Sequence, residues 1–171
     1  EAMRLLRLDL SAVGNHELDR GIAELQRLQQ GRRAGGTGCH PVDGCRDGSS
    51  FDGAGFEYLS ANLEDASSGR LVFPSAAVRD VEGIAIAFVG VTLEDAPAVV
   101  APSGVAGLRF RPEVESVNRA VADLRRTEGV RAFVALVHQG GRQRVARPQF
   151  PGADTQPLAY TDINGCADFA G

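Results

Sequence analysis

The stretch LSAVGNHELDRG, residues 10–21, decides how the rest of the chain is read. A short apolar run ends at Val13, a glycine follows, and then come Asn15, His16, Glu17 and Asp19. The run LSAV reads as a short buried strand. Beyond it, Leu18, Ile22, Leu25 and Leu28 recur at helical spacing, with Gly31 as the stop. Gly21 weakens that helix without vetoing it. The polar cluster therefore stands where a strand hands over to a helix, and two explanations compete for it: a solvated turn with a helix cap, or a metal site. Asparagine after glycine is an ordinary turn residue. Carboxylates in a first helical turn complement the dipole, which is the preferred account of Glu17. His16-Glu17 opens the zinc-protease pattern His-Glu-x-x-His, but position 20 is arginine, so that reading fails for want of its second histidine.

Working outward, the pattern is α/β. FEYLSANL, residues 56–63, is strand-like, and SAAVRDVEGIAIAFVGVT, residues 75–92, reads as two strands turning at Glu82-Gly83. RPEVESVNRAVADLRRTEG, residues 111–129, is an amphipathic helix with Val114, Val117, Val121 and Leu124 inward and Pro112 near its first turn. VRAFVALV, residues 130–137, follows as a buried strand and ends at His138-Gln139-Gly140-Gly141. Open α/β sheets bind ligands beyond the carboxyl ends of their strands. If the two strands run parallel, Asn15, His16 and His138 share one rim despite the long gap between them. A lone histidine at a strand end is in most cases a satisfied, partly buried side chain, and that reading stands beside the ligand reading for His138.

Composition removes several classes. All 18 basic residues are arginine; without lysine there is no phosphate-loop motif, no Schiff base and no Ser-x-x-Lys nucleophile. The formal charge of −4 gives no basic footprint for nucleic acid. Arg32, Arg33, Arg142, Arg144 and Arg147 flank the expected rim, where they could attract phosphate, but a solvated basic surface is the preferred account of them. No apolar stretch approaches the roughly 20 residues that span a bilayer. With 43% hydrophobic residues, the 171-residue chain can bury one core, as one domain or a large part of one. EAMRLLRLDL opens like the last turns of a helix, and DINGCADFAG stops without a closing element. Residues 1–171 are therefore expected to be a piece of a longer protein, with 31–55 as a Gly- and Cys-rich surface insertion. Within that insertion, DGCRDGSSFDGA mimics a calcium loop from Asp43, but Cys45 and Ala54 stand where oxygen donors belong.

GNHELD resembles the Gly-Asn-His-Glu-x-Asp block of the calcineurin-like metallophosphoesterases, in their 5′-nucleotidase and 2′,3′-cyclic-nucleotide phosphodiesterase branch. The resemblance continues in order through YLSANLED, IAFVGVTLEDAP and VALVHQGG, and so covers nearly the whole chain. Leu18 departs from the family's usual Phe, and Gln139 stands where the branch often has Glu; neither position is a ligand there. The resemblance implies a four-layer α/β/β/α sandwich, present here as its middle portion. It implies two divalent metal ions, of the Zn, Mn, Mg, Ca or Fe type, with Asn15 and His138 as ligands to one of them. His16 would stabilise charge on the phosphoryl group, and Asp19 would hold its imidazole. The family's Asp-x-His and Gly-His-x-His blocks have no match in this sequence, nor has its C-terminal nucleotide-specificity domain.

The implied activity is a metal-dependent phosphoric ester hydrolase, 5′-nucleotidase-like, releasing phosphate from nucleotides by a hydroxide activated between two ions. Asparagine and histidine suit such a site because they ligate without adding negative charge. Two rivals stand beside it: a non-catalytic phosphoesterase-like binding module, and a same-fold hydrolase for cyclic nucleotides, sugar nucleotides or nucleic acid. Cys39 and Cys45 flank HPVDG, with His40 beside them. As zinc ligands they need a fourth partner; as a disulfide they need an oxidising compartment. Because the family is largely exported, the resemblance favours the disulfide and a secreted, periplasmic or cell-surface location. Cys166 is left over, with a partner expected elsewhere in a longer chain.

Overall fold

The computed structural model describes residues 2–42, 44–139, 142–143 and 166–167. Residues 1–138 form one compact unit and residues 139–171 a second. In the second, β8 (Arg142–Gln143) pairs antiparallel with β9 (Cys166–Ala167).

The first unit opens with one helical turn, α1 (Ala2–Leu5), and then β1 (Leu10–Ala12), which pairs in parallel with β2 (Glu57–Leu59). The pairing runs one residue further, since Val13 donates its N–H to the Leu59 carbonyl at 3.1 Å. The helix expected from Leu18 onward is broken. His16–Leu18 form a single 3-10 turn, Gly21 takes φ 81° and ψ 165°, and α2 (Ile22–Gln30) starts afresh. Only glycine adopts that conformation without strain, so Gly21 ends one piece before the next begins. The two pieces therefore do not share one helical face. Leu18 and Leu25 are fully buried, whereas Leu28 is 37% exposed and not the inward residue that its spacing suggested.

The single strand expected over 56–63 is two strands in different sheets. After β2 the chain leaves the ladder at Ser60–Asn62 and resumes as β3 (Leu63–Asp65), antiparallel to β6 (Leu108–Phe110). The hairpin is as expected: β4 (Ala76–Val81) and β5 (Ile84–Val91) meet at Val81 opposite Ile84. A short α3 (Ala96–Val99) precedes β6. The next helix, α4 (Glu113–Thr127), starts behind Pro112. Its buried arc centres on Ser116 and Ala120, flanked by Val117, Val121 and Leu124. Val114 stands well round the helix from Ala120 and is 58% exposed, which corrects its expected inward placement. Finally β7 (Ala132–Val137) pairs in parallel with β5. Expected to be buried, it exposes Val134 and Val137, because β5 is the only described strand that flanks it.

Two apolar clusters hold these elements. Val13, Leu18, Leu25, Leu63, Phe73, Ala96 and Val100 form the larger. Ala61, Val89 and Ala120 form the smaller, between α4 and the sheet that contains β5. The backbone leaving β2 crosses β5 closely at Gly90. A Cβ there would stand 2.4 Å from the Leu59 carbonyl oxygen, a clash that glycine alone avoids.

Residues 31–55 are tied to α2 by Arg27. Its guanidinium makes two 2.7 Å bonds to Glu24, reaches the Gly38 carbonyl, and lies 5.7 Å from the Phe51 ring centre. Arg32 is held by Asp52 rather than free to serve the rim. Cys39 and Cys45 form a disulfide with Cα atoms 5.7 Å apart.

Candidate metal centre

The backbone of the opening motif is arranged so that a histidine from far along the chain can lie against it. Gly14 is buried, and a Cβ at that position would stand 2.7 Å from Cε1 and 2.8 Å from Nδ1 of His138. Glycine here leaves room for the His138 ring and the Glu17 carboxylate, and its φ lies outside the left-handed region. Glu17 folds back so that its carboxylate accepts the Gly14 N–H at 2.8 Å. This is a specific bond that closes the turn, more than the general dipole complement expected of Glu17.

Asn15 follows β1 and His138 follows β7, both at carboxyl ends. Their strands lie in separate ladders, yet the side chains meet, with Asn15 Oδ1 3.0 Å from His138 Nε2. His138 is exposed there and Asn15 half-buried. His16 and Asp19 face each other across the 3-10 turn, with Nδ1 2.9 Å from Oδ2 and both side chains more than half exposed. The hydrogen bond to Asp19, then that carboxylate's charge, raise the His16 pKa above its ordinary value; the charge of Glu17 adds a smaller push. With Nδ1 donating to Asp19, Nε2 is the ring atom left to act on a substrate.

The donor chemistry of the first pair fits a divalent ion. An amide oxygen and an imidazole nitrogen at about 2.1 Å from one ion, at a right angle, stand about 3.0 Å apart. Asn15 Oδ1 and His138 Nε2 stand at that separation through a hydrogen bond that Nε2–H donates, and a bound ion would take the place of that proton. Among the described residues, no group of three or more His, Cys, Asp and Glu side chains is placed to hold a metal. Asn15 and His138 are therefore two donors that need others. The side chain of Cys166 and the arginines at 144 and 147 lie outside the described residues, as does the side chain of Arg142.

Sequence reasoning missed a polar group beneath this rim. Ser60, Asn62 and Thr92 are fully buried and bonded to one another. The signal was present in the polar residues that interrupt an apolar run at SAN, residues 60–62, and in the threonine that follows β5. Neither carries a period from which pairing could be read.

No protein-family profile matches the chain. The endonuclease YhcR of Bacillus subtilis is 34% identical over 143 residues, which are 84% of this chain and 11% of that protein. A 5′-nucleotidase of Vibrio cholerae is 27% identical over 143 residues, or 84% of this chain and 22% of that protein. The chain thus spans about a fifth or less of the length of these curated relatives. Among solved structures, the 5′-nucleotidase precursor of Thermus thermophilus is 27% identical with a TM-score of 0.53, over 80% of this chain and 22% of the other. The calcineurin-like phosphoesterase YfkN of Bacillus subtilis shares the fold at a TM-score of 0.58 and 21% identity, over 82% of this chain and 37% of the other. Sequence, fold and the strand-end placement of GNHELD agree: the chain belongs to the calcineurin-like phosphoesterases, in the branch that holds the 5′-nucleotidases.

Proposed function

We propose that this chain supplies part of the catalytic centre of a metal-dependent phosphoric ester hydrolase that acts on nucleotides. The observation that carries the reading is the meeting of Asn15 and His138 at 3.0 Å beside the His16–Asp19 pair. Asn15 and His138 would hold one divalent ion of a two-metal centre, completed by donors elsewhere in a longer chain. Two such ions polarise a phosphate and supply hydroxide near neutral pH. His16 donates a hydrogen bond from Nε2 to the charge that develops on the phosphoryl group, as a group aimed at the transition state must. Asp19 fixes the tautomer and plane of that imidazole, and its charge keeps the ring a donor to higher pH. A C-terminal domain of the same chain would choose the nucleoside. The disulfide suits an exported protein, and no described helix is long and apolar enough to cross a membrane.

The test is release of phosphate from AMP by the full-length chain with Mn²⁺, and its loss on chelation. A full-length protein that binds nucleotide but releases nothing with any divalent metal would leave the non-catalytic binding module as the reading. The 34% identity to a protein described as an endonuclease favours a second reading, cleavage of phosphodiesters. Preference for bis(p-nitrophenyl) phosphate or for 2′,3′-cyclic AMP over AMP would select it.

A further inference from the structure

Both candidate metal donors hang from backbone that is hydrogen-bonded at or just before the donor residue. Val13, two residues before Asn15, donates to the Leu59 carbonyl at 3.1 Å, and the N–H of His138 itself donates to the Val91 carbonyl at 3.2 Å. The residues that follow those acceptors are Ser60 and Thr92, and their hydroxyls lie 2.8 Å apart. Asn62 completes the link. Its Oδ1 accepts the Thr92 N–H at 2.9 Å and the Ser60 hydroxyl at 3.2 Å, and its Nδ2 donates to the carbonyls of Thr92 at 2.7 Å and Arg111 at 3.2 Å. Ser60 has one proton, given to Asn62, so the Thr92 hydroxyl donates to Ser60. Both amide protons and both oxygen lone pairs of the carboxamide are used.

A dry junction between two strands needs none of this, because paired polar groups in a core can be replaced by apolar ones of similar shape at little cost. What the bonds add is a fixed distance. β1 and β7 share no ladder, so the gap between Asn15 and His138 depends on how Leu59 and Val91 are held relative to each other. Gly90, by admitting the Leu59 carbonyl, brings the two backbones close enough for one carboxamide to span them.

We propose that the Ser60 and Thr92 hydroxyls, held by Asn62, are positioning groups that set the Asn15–His138 separation and with it the geometry of the metal position. The occupant's identity rests on the hydrolase reading above; the separation itself is a property of this chain. The test uses the full-length protein. Ser60→Ala/Thr92→Val removes both hydroxyls together and leaves neither unpaired, and Thr92→Ser keeps the hydroxyl. Three measurements are made: the thermal melt, the ¹⁵N shifts of the His138 ring without metal, and Mn²⁺ affinity by calorimetry. The double variant should melt close to wild type, move the His138 shifts toward those of Asn15→Ala, and lose about tenfold in Mn²⁺ affinity, the lower end for residues that orient metal ligands. Thr92→Ser should retain both. If the double variant melts far lower, Ser60→Ala alone is read by the same criteria. Unchanged His138 shifts with unchanged affinity overturn the proposal. So does a Thr92→Ser variant as impaired as the double one, since that marks packing and not the hydroxyl. A wild-type protein that binds no Mn²⁺ while the His138 shifts still respond would overturn the hydrolase reading and leave the positioning role standing.

Discussion

At the scale of single residues, the motif divides its labour between neighbours. Asn15 turns toward His138, and His16 turns toward Asp19. In the full-length protein, Asn15→Ala should therefore lower metal occupancy, while His16→Ala should keep metal and slow turnover by about 10²–10⁴-fold, the usual range for an acid–base or charge-stabilising group. Asp19→Asn should lie between wild type and His16→Ala. The double change at 16 and 19 should be little worse than His16→Ala, because groups acting as a unit are not additive. Metal analysis with steady-state kinetics decides it; a His16→Ala protein stripped of metal beside a loaded Asn15→Ala would reverse the two assignments. Glu17→Gln keeps an oxygen for the Gly14 N–H and should change little. A second prediction follows from the raised pKa of His16. Because Asp19 favours the imidazolium, the link favours the folded turn most at pH below the ordinary histidine value and fades as pH rises through the raised one. An NMR titration should place the His16 midpoint above that of an unperturbed histidine, and Asp19→Asn should bring it down. A midpoint that Asp19→Asn leaves in place would show the pairing to be absent in solution.

At the scale of elements, α2 starts afresh after the break at Gly21 and buries its two leucines unequally, although their spacing reads as one inward face. Leu25 is fully buried in the larger apolar cluster, so Leu25→Ala should cost about 2–5 kcal/mol. Leu28 lies on α2 one turn away at 37% exposure and leaves that cluster alone, so Leu28→Ala should cost well under about 1 kcal/mol. Urea melts of the two variants make the comparison; equal losses would mean that Leu28 is buried in solution as fully as Leu25. The same break places the motif: a 3-10 turn of three residues is short enough that Asn15 and His16 point to different partners, which a continuing α-helix would not require.

At the scale of the whole molecule, the centre is incomplete within the described residues. Asn15 and His138 are two donors, and a two-metal centre needs more around each ion. The 171-residue chain expressed by itself should bind Mn²⁺ weakly and release no phosphate from AMP. Robust metal-dependent release by that chain would mean that further ligands lie among residues 1–171 and that Asn15 and His138 are not its whole donor set.

What the sequence by itself determined was local or carried by a motif. The hairpin over 76–91 follows from alternation around Glu82-Gly83, and α4 follows from a strong 3.6-residue period behind a proline. The family follows from GNHELD, because chemistry at a strand end requires those residue types in that order. What only the tertiary structure decided was pairing at a distance. The run over 56–63 carries no mark that its halves join different sheets, since a ladder is chosen by the partner strand. Gly21 reads as tolerable in a helix until its dihedrals are seen. Strand-end placement and the family motif put Asn15 and His138 on one rim, but their 3.0 Å contact across 123 positions is set by packing, which no periodicity reaches. Ser60, Asn62 and Thr92 read in sequence as polar residues within or ending strands. Burial beneath two strand ends makes them a junction, because in a dry interior each polar atom must find a partner and those partners fix the distance between the strands.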